Sequence, residues 1–529
     1  MKKKQITIYD TTLRDGAQTI GISYSLQDKI KIAQELDKLK IDYIEGGWPG
    51  SNPKDNLFFH KIRDVDICNG EIVAFGSTKS HRISCSKDEQ LKSLIESGAK
   101  FLTIVAKASD FQVSNALQIE LKENLALIYD TVAYLKDLDF SVFLDAEHFY
   151  DGFKSNPDYS LKALLQAEKA GADMAVLCDT NGGSLPDEIK DITQKVVSEL
   201  KTPVGVHFHN DCGVAVANSM TAISAGAVSV QGTMNGYGER CGNCDLATLI
   251  PNLTLKMGYS CKAEEALVYI TEASRFISET VNLAHNERAP YVGNNAFASK
   301  AGLHVSAINK DTRTYEHIDP HQVGNKRNIM ISELAGKSNI EFKAKEMGIK
   351  LKGKTSLSKE LLQKIKKLED KGFQYEAADG SFELMIREAI GEYIPFFNLK
   401  GFRVITEKKG RDRITCEATI KVEVNNRIEH TAANGNGPVD ALDNALRKAL
   451  EKFYPELKEL HLTDYKVRVL DGKTGTGSLV RVHVDHARRF DNWGTVGVST
   501  NIIEASWQAL VDGIEYMLLK DYIEKEKKS

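Results

Sequence analysis

Two histidines share one face of a short apolar strand near the middle of the chain. The segment Val204–Asp211 reads V-G-V-H-F-H-N-D. Because strand side chains alternate between faces, His207 and His209 project to the same side. Imidazoles so placed are typical ligands of a divalent metal ion, although a buried pair can also be satisfied by hydrogen bonds. The strand therefore indicates either a metal site or a hydrogen-bonded pair in the core.

A carboxylate and an amide elsewhere in the chain would complete a mixed set of ligands. Asp15 and Asn243, together with the two histidines, suit a divalent ion that keeps coordination positions open. Mg, Mn, Co and Zn all accept such ligands. An ion with two open positions could chelate a 2-oxo acid through its keto and carboxylate oxygens and polarise the carbonyl group.

Arg14 and Thr180 could act on a substrate held in this way. The guanidinium of Arg14 would neutralise a developing alkoxide, and Thr180 could hydrogen-bond the substrate carboxylate. Arg14 could equally be the structural partner of a buried carboxylate. Lys107 offers Schiff-base chemistry as an alternative, but a lysine at the end of a strand is more often a salt-bridge partner.

The elements that must position these residues alternate regularly from Ile6 to about Met257. Eight strand-like runs alternate with eight amphipathic helical runs. The predicted strands are Thr7–Thr11, Tyr43–Gly46, Ile72–Gly76, Phe101–Ala106, Ser141–Ala146, Met174–Cys178, Pro203–Phe208 and Ser229–Gly232. The predicted helices include Leu26–Leu39, Glu89–Ser97, Ile119–Leu138, Ser160–Ala170, Pro186–Leu200, Val214–Ala225 and Leu246–Met257.

This alternation predicts an α/β fold, a (β/α)8 TIM barrel with its active site at the carboxyl ends of the strands. A doubly wound sheet is the alternative, but D-T-T-L-R-D-G after the first strand is not the Gly-rich phosphate turn that such a sheet carries. Polar residues follow six of the strands and would converge on one mouth: Arg14, Asp15, Gln18, Glu45, Asp145, Glu147, Asp179, Thr180, His207, His209, Glu239, Arg240 and Asn243.

The chain beyond the barrel has a different pattern. Ala263–Val281 reads as a helix, and a polar, Gly- and Asn-rich stretch then runs through His304, either as a surface loop or as a cover for the barrel mouth. The Lys- and Glu-rich region Ser332–Lys371 indicates a helical connector. We expect a barrel over residues 1–265, a lid and helical linker over 266–390, and a C-terminal α+β domain over 391–529.

The C-terminal domain reads as two ββα units, which indicates an internal duplication. The predicted elements are strands Leu399–Thr406 and Arg413–Val424 around a turn at Lys408–Arg411, helix Val439–Phe453, strands Asp464–Leu470 and Ser478–Asp485, and a helix from Ile502 to Leu519. A small-residue turn precedes each helix, at Asn434–Pro438 and at Gly494–Thr500, and could bind a ligand. A dimerisation domain without a ligand is the alternative.

Composition excludes several classes of function. A chain of 529 residues is expected to form two to four domains, and its net charge of −4 gives no reason to expect nucleic acid or a membrane surface as partner. It shows no signal peptide and no membrane span, and its eight cysteines are scattered, so we expect a cytoplasmic protein with reduced thiols. Cys241 and Cys244 form a C-x-x-C without the context of a redox helix or a zinc ribbon.

Three segments resemble the signatures of the metal-dependent Claisen condensing enzymes. They read I-Y-D-T-T-L-R-D-G-A-Q, V-H-F-H-N-D-C-G-V-A-V-A-N-S and G-T-M-N-G-Y-G-E-R-C-G-N-C-D. That family includes the 2-isopropylmalate, homocitrate and citramalate synthases, and 3-hydroxy-3-methylglutaryl-CoA lyase uses the same barrel. The C-terminal domain resembles the allosteric domain of the synthases, which the lyases lack. E-G-G-W-P-G-S-N-P-K-D and D-A-E-H-F-Y-D-G resemble the citramalate synthase branch.

The resemblance implies roles for individual residues. Glu147 matches a carboxylate near the substrate, and His304, in S-K-A-G-L-H, matches a histidine assigned to proton transfer together with Glu147 and a tyrosine. Tyr315, in T-Y-E-H-I, is the candidate tyrosine. The remaining predicted residues are Asp15, His207, His209 and Asn243 for the metal, Arg14 for catalysis, Arg14, Gln18 and Thr180 for the substrate, and Gly437 and Gly497 for regulation.

The resemblance further implies an acyltransferase that condenses acetyl-CoA with pyruvate and hydrolyses the thioester. We expect a homodimer that uses a divalent metal ion and is inhibited by isoleucine. The alternatives are a 2-isopropylmalate synthase with a bulkier pocket, an acyl-CoA lyase or aldolase, and a metal-binding barrel that has lost catalysis and serves as a regulatory partner.

Overall fold

The computed structural model describes residues 3–330, 336–349, 351, 355–408, 410, 414–471, 475, 477–489 and 491–528. Parts of the predicted turn 408–411 and of the predicted helical region 332–371 lie outside these residues. The chain forms two compact units: the first comprises Met1–Phe297 with Ile318–Arg327, and the second comprises Ala298–His317 with Asn328–Ser529.

Eight parallel strands in the first unit close into a barrel in chain order. They are β1 Thr7–Asp10, β2 Tyr43–Gly47, β3 Glu71–Ser77, β4 Phe101–Lys107, β5 Ser141–Glu147, β6 Met174–Asp179, β7 Val204–Phe208 and β8 Ser229–Gly232. The (β/α)8 prediction is confirmed, and every strand end lies within one residue of its predicted position. The strands could be predicted from the sequence because parallel strands are buried on both faces and therefore appear as continuous apolar runs between short turns.

Helices surround the barrel, and several begin at side chains suited to capping. Ser25 accepts a hydrogen bond from the Asp28 amide, and Asn52 accepts one from the Asp55 amide, which satisfies amides that a helix start leaves free. The principal helices are Leu26–Lys38, Pro53–Ile62, Glu89–Glu96, Leu121–Asp137, Phe149–Ser155, Pro157–Ala170, Pro186–Glu199, Ala215–Ser224, Leu246–Pro251 and Ile270–Thr280. The predicted helix Leu246–Met257 is thus shorter, and a π-helical turn, Asn252–Lys256, continues it.

Aromatic side chains fill the amino-terminal part of the barrel interior. The ring centroids of Tyr43 and Phe101 lie 5.1 Å apart, as do those of Tyr43 and Phe143, and Tyr9 lies 6.0 Å from Tyr43. The Tyr9 hydroxyl donates to Glu45 Oε1 at 2.8 Å, in the polar layer above. This packed floor leaves the carboxyl ends of the strands as the end at which polar groups can meet a ligand.

The second unit contains two three-stranded antiparallel sheets, each followed by a helix. Two short strands, β9 Ala298–Ser299 and β10 Asn328–Ile329, pair separately, and helices Gly302–Ile308, Lys337–Glu346, Thr355–Asp370 and Asp379–Ile390 precede the sheets. The first sheet is β11 Asn398–Glu407, β12 Thr415–Val424 and β13 Arg427–Gly435, followed by helix Pro438–Leu450. The second is β14 His461–Val469, β15 Val480–Arg488 and β16 Asp491–Ser499, followed by helix Ile502–Lys528.

Each repeat is therefore a βββα unit, and the predicted ββα count is wrong by one strand. β13 is absent from the predicted elements because Asn425 and Asn426, both with positive φ, turn the chain back at once after β12. The predicted turn at Gly494–Thr500 is also wrong, because these residues lie almost entirely in β16. Glycine occurs there for close packing: a Cβ at Gly497 would lie 2.0 Å from the carbonyl oxygen of Ala505.

No helix among the described residues is long and apolar enough to cross a membrane. The eight cysteines, which all fall within the described part of the chain, are free thiols.

Candidate metal centre and active site

Three predicted metal ligands meet at the carboxyl end of the barrel. The ligand atoms of Asp15, His207 and His209 all lie within 4.8 Å of one another. Asp15 Oδ2 lies 3.4 Å from His207 Nε2 and 3.9 Å from His209 Nε2. All three side chains are buried. Closure of the barrel brings β1 and β7 to this common end, so the same-face spacing of the histidines becomes a convergent site.

The fourth predicted ligand, Asn243, joins this group through the backbone. Asn243 forms a β-bridge with His209, and the Cys244 amide donates to the Phe208 carbonyl oxygen at 3.0 Å. The Asn243 side chain is buried, and among the described residues neither its oxygen nor its nitrogen has a hydrogen-bond partner.

Other polar atoms of the group are also buried without a partner among the described residues, namely Asp15 Oδ1 and His209 Nδ1. Such atoms destabilise a fold unless something satisfies them. One carboxylate, two imidazoles and an amide oxygen form the donor set of a divalent cation that keeps open positions. The residues present therefore fit a metal ion.

The electrostatics of the cluster favour a bound cation. Burial raises the pKa of Asp15, but Arg14 and the two histidines outweigh that effect and hold it below its usual value. Burial lowers the pKa of His207 to about 3 and also lowers that of His209. At neutral pH the group is a carboxylate with two neutral imidazoles, the protonation state in which these side chains bind metal.

Arg14 is held rigidly beside Asp15. Its Nε donates to Glu45 Oε2 at 2.6 Å, its guanidinium carbon lies 4.0 Å from the centre of the Phe75 ring, and Nη1 lies 3.6 Å from Asp15 Oδ2. The structural pairing considered for Arg14 thus exists, with Glu45 as the partner. Because Glu45 is wholly buried, this ion pair orients the guanidinium towards the ligand cluster.

A buried amide outside the set of predicted site residues lies behind His207. Gln231 pairs with His207 in the register of β7 and β8, and its Oε1 lies 3.0 Å from His207 Nδ1. Its Nε2 donates to Asp145 Oδ1 at 2.8 Å. Burial, followed by the charge of Glu45, raises the pKa of Asp145 to about 8. The available signal was a glutamine inside the short strand S-V-Q-G, where an apolar residue is usual.

The predicted residues at the ends of β5 and β6 lie next to one another. Glu147 Oε2 forms an ion pair with Lys107 Nζ at 2.5 Å, which favours the salt-bridge interpretation of that lysine. The hydroxyl oxygen of Thr180 accepts a hydrogen bond from the His148 amide at 2.9 Å. The hydroxyl hydrogen of Thr180 stays available to a ligand.

Arg240 ties together the loops that follow three strands. Its Nε donates to Asp211 Oδ1 at 2.8 Å, and its Nη2 donates to the Thr180 carbonyl oxygen at 2.7 Å.

Gln18 ends a short 3-10 helix and, with Arg14 and Trp48, lines a cavity of ≈ 550 Å³. Gln18, like Arg240, therefore lies at the carboxyl end of the barrel.

The two residues predicted for proton transfer outside the barrel contact one another. The rings of His304 and Tyr315 are stacked, with centroids 4.1 Å apart and an interplanar angle of 29°. Both side chains are exposed, Tyr315 to 53%. They belong to the second unit, whereas the ligand cluster and Glu147 belong to the first.

The two predicted regulatory glycines occupy different environments. Gly437 is the N-cap of helix Pro438–Leu450, and nothing lies within 4 Å of the position that its Cβ would take. The preceding residues Asn434 and Asn436 line a cavity of ≈ 670 Å³. Gly497 lies inside β16 against the following helix, so the turn predicted around it is wrong. The regulatory roles of both residues stay predictions.

Comparison with known families accounts for almost the whole chain. The HMGL-like family model matches residues 5–277, and a model described as homocitrate synthase post-HMGL domain-like matches residues 291–373. The model of the LeuA allosteric (dimerisation) domain matches residues 376–518. The HMG-CoA lyase of Bacillus subtilis is similar in structure over 54% of this chain and 97% of that chain, with 18% sequence identity and a TM-score of 0.45.

Relatives of higher identity extend over the full length. The chain is 52% identical over 525 residues to the (R)-citramalate synthase of Geobacter sulfurreducens, with 99% of each chain covered. It is 51% identical over 520 residues to the (R)-citramalate synthase of Aquifex aeolicus, with 98% of each chain covered. The chain therefore belongs to the HMGL-like family, in the (R)-citramalate synthase branch of its metal-dependent Claisen condensing enzymes.

Proposed function

We propose that this protein is an (R)-citramalate synthase, an acyltransferase that converts acetyl-CoA, pyruvate and water into (R)-citramalate and CoA. The observation that carries the proposal is the full-length identity of 52% to a synthase of that name. The convergence of Asp15, His207 and His209 on one buried point supports it independently. The reaction would be the first step of a route from pyruvate to isoleucine.

Asp15, His207, His209 and Asn243 would hold a divalent cation. When bound there, such an ion polarises the keto group of a 2-oxo acid as a Lewis acid. Arg14, oriented by Glu45, stabilises the negative charge that develops on the keto oxygen. Thr180 donates its hydroxyl hydrogen to the substrate carboxylate while its oxygen accepts the His148 amide.

Proton transfer falls to Glu147, His304 and Tyr315 in this proposal. A base removes one proton from the acetyl methyl group, and the resulting carbon nucleophile attacks the keto carbon of pyruvate. The electron pair of the carbonyl bond moves to oxygen, which is then protonated. Water finally cleaves the thioester and releases the CoA thiol, which makes the sequence irreversible. The stacking of His304 on Tyr315 supports a shared role for these two residues.

The test measures thiol release from acetyl-CoA by the full chain with a panel of 2-oxo acids, and identifies the product by chiral chromatography. We expect the highest kcat/KM with pyruvate and a product that is (R)-citramalate. A preference for 2-oxoisovalerate would instead make the enzyme a 2-isopropylmalate synthase. Cleavage of a hydroxyacyl-CoA without condensation would indicate a lyase.

The second unit would provide dimerisation and feedback regulation. The match to the LeuA allosteric (dimerisation) domain supports this, as do apolar side chains exposed on outer strands, namely Ile428, Val467 and Val469. We propose a cytoplasmic homodimer that isoleucine inhibits at the cavity beside Asn434 and Asn436. Sedimentation velocity would report a species of twice the chain mass of 58.7 kDa.

A further inference from the structure

The buried Gln231 separates two acidic side chains of the barrel interior. Gln231 lies on β8, which pairs with β1 and not with β5. Asp145 comes from β5, and Asp15 follows β1. Gln231 bridges Asp145 and His207, and His207 faces Asp15. Asp145, Gln231, His207 and Asp15 thus form a continuous chain of polar groups, which we name the relay. Gln231 is 1% exposed and Asp145 is 4% exposed, so bulk solvent does not compete with these bonds.

The orientation of the Gln231 amide follows from its neighbour. The amide nitrogen of Gln231 donates to Asp145 Oδ1 at 2.8 Å, and an unprotonated carboxyl oxygen accepts this bond in either protonation state of Asp145. The amide oxygen must then face His207 Nδ1, at 3.0 Å. Because that oxygen is itself an acceptor, Nδ1 of the neutral imidazole has to carry the hydrogen. The hydrogen is thereby excluded from Nε2, which keeps its lone pair.

With the hydrogen of His207 on Nδ1, the contact between His207 and Asp15 favours a bound cation. Without the relay, Nε2 could carry the hydrogen and donate it to Asp15, which would form an ordinary buried pair. With the hydrogen on Nδ1, the Nε2 lone pair and Asp15 Oδ2 face each other at 3.4 Å with no hydrogen between them. Two acceptors so close repel one another, and a positive ion between them removes that repulsion.

We propose that Gln231, oriented by Asp145, is a positioning residue that holds His207 in the tautomer able to bind a metal ion. This inference rests on the metal centre of the proposed function and extends it to two side chains outside the ligand set. The relay also favours a metal site over a hydrogen-bonded pair, because it leaves His207 Nε2 without a hydrogen to donate to Asp15. Gln231 acts only through His207.

The first test compares Gln231→Leu with wild type, both as full chains treated with chelator and then titrated with Mn²⁺ in a calorimeter. Loss of an outer partner of a metal-bound histidine typically lowers affinity by about 10- to 100-fold. We expect a loss in this range for Gln231→Leu. The matched control is Asn218→Leu, which removes another buried amide, bonded to the Ser184 carbonyl oxygen and not to a ligand. The control should retain the wild-type affinity.

Nitrogen-15 spectra of the histidine rings, without metal, give a readout that general destabilisation would not move. In wild type, His207 should show a protonated Nδ1 and an unprotonated Nε2. In Gln231→Leu the hydrogen should shift to Nε2, where Asp15 can accept it. The His207→Gln variant identifies the signals. An unchanged tautomer in Gln231→Leu would overturn the proposal, whatever the affinity.

A double exchange keeps the proposal testable if Gln231→Leu fails to fold. Gln231→Glu combined with Asp145→Asn preserves the total charge, places an acceptor against His207 Nδ1 and keeps a donor between positions 145 and 231. We expect Mn²⁺ affinity within about threefold of wild type. An affinity at least tenfold lower in the double variant would contradict the relay, as would a loss in Asn218→Leu equal to that in Gln231→Leu.

The outcomes also separate this inference from the proposed function. Failure of the wild type to bind Mn²⁺ would overturn the metal centre itself. Equal Mn²⁺ affinities of the wild type and Gln231→Leu would overturn this inference alone.

Discussion

At the scale of single residues, His209 has a buried ring nitrogen for which the described residues provide no partner. Its Nδ1 is unsatisfied, and its Nε2 lies 3.9 Å from Asp15 Oδ2. We predict that His209→Ala loses bound metal and activity while the barrel stays folded, because the change removes a ligand and no core packing. Elemental analysis, turnover and circular dichroism measure the three properties.

Two controls accompany the test of His209→Ala. Chelator treatment of the wild type should reproduce the loss of activity, and His60→Ala, which alters an exposed helical histidine, should leave metal content and turnover unchanged. Full turnover by a metal-free preparation would remove the metal centre from the mechanism.

His304 is an exposed histidine whose ring is stacked on Tyr315. If it takes part in proton transfer, His304→Ala should lower kcat by about 100- to 10,000-fold, the range of general acid–base catalysis, with little change in metal content. Steady-state kinetics with metal analysis test this. His321→Ala, at another exposed histidine, is the control. A loss confined to the apparent affinity for pyruvate would make His304 a binding residue.

At the scale of elements, β15 contains a histidine that helix Ile502–Lys528 covers. His486 is 1% exposed, and its ring is stacked on Trp493 at 5.8 Å. Burial, followed by the charge of Arg447, lowers the pKa of His486 from its usual value of 6.5 to about 4. The unfolded chain therefore binds a proton between these pH values that the folded chain excludes.

It follows that the second unit loses stability as pH falls from 6.5 towards 4, and that the contribution is fully present above 6.5. A difference of one pKa unit corresponds to about 1.4 kcal/mol, so His486 should account for a loss of about 2 kcal/mol by pH 5. Denaturant unfolding followed by tryptophan fluorescence at pH 7.5 and pH 5 measures it. His486→Gln should flatten this pH dependence and the exposed His430→Gln should not. Equal slopes for His486→Gln and wild type would refute the assignment.

At the scale of the whole molecule, an effector in the second unit can act on the barrel only by favouring one arrangement of units or subunits. We predict inhibition by isoleucine that is not competitive with pyruvate. Gly437→Val should abolish the inhibition and retain catalysis, because the new side chain follows directly after Asn436, which lines the cavity, and nothing in the fold lies within 4 Å of its Cβ position.

Inhibition kinetics on Gly437→Val and on Gly391→Ala form a matched pair, since a Cβ at Gly391 also meets nothing within 4 Å. Gly391 adopts a φ of +78°, so its variant reports the effect of mild backbone strain alone. Gly497 is unsuitable for this purpose, because any side chain there collides with Ala505. Isoleucine inhibition that survives Gly437→Val would place the effector site elsewhere.

The sequence alone determined the barrel and the side chains that converge at its carboxyl end. Alternation of apolar runs with amphipathic helices specifies eight parallel strands, and the carboxyl ends of parallel strands necessarily meet at one edge. The spacing of His207 and His209 places them on one face whatever the rest of the chain does. These are local properties, and local periodicity is the signal that a sequence carries directly.

Tertiary structure decided what depends on contacts between distant segments. Asp145 and Gln231 are 86 residues apart, and only closure of the barrel places an amide between that carboxylate and His207. The same holds for Arg14, whose partner Glu45 lies on the neighbouring strand. The alternation of side chains along a strand shows which face a residue lies on, but it does not show which distant residue will be its hydrogen-bond partner.

The C-terminal repeats show the same limit for elements. The third strand of each sheet was missed because Asn425–Asn426 and the glycines of β16 resemble loop residues. The glycine at position 497 is required by a helix that packs against the strand, with Ala505 at its nearest point. A sequence records that a residue is small, and only the packed structure shows whether the space serves a turn, a ligand or a neighbouring backbone.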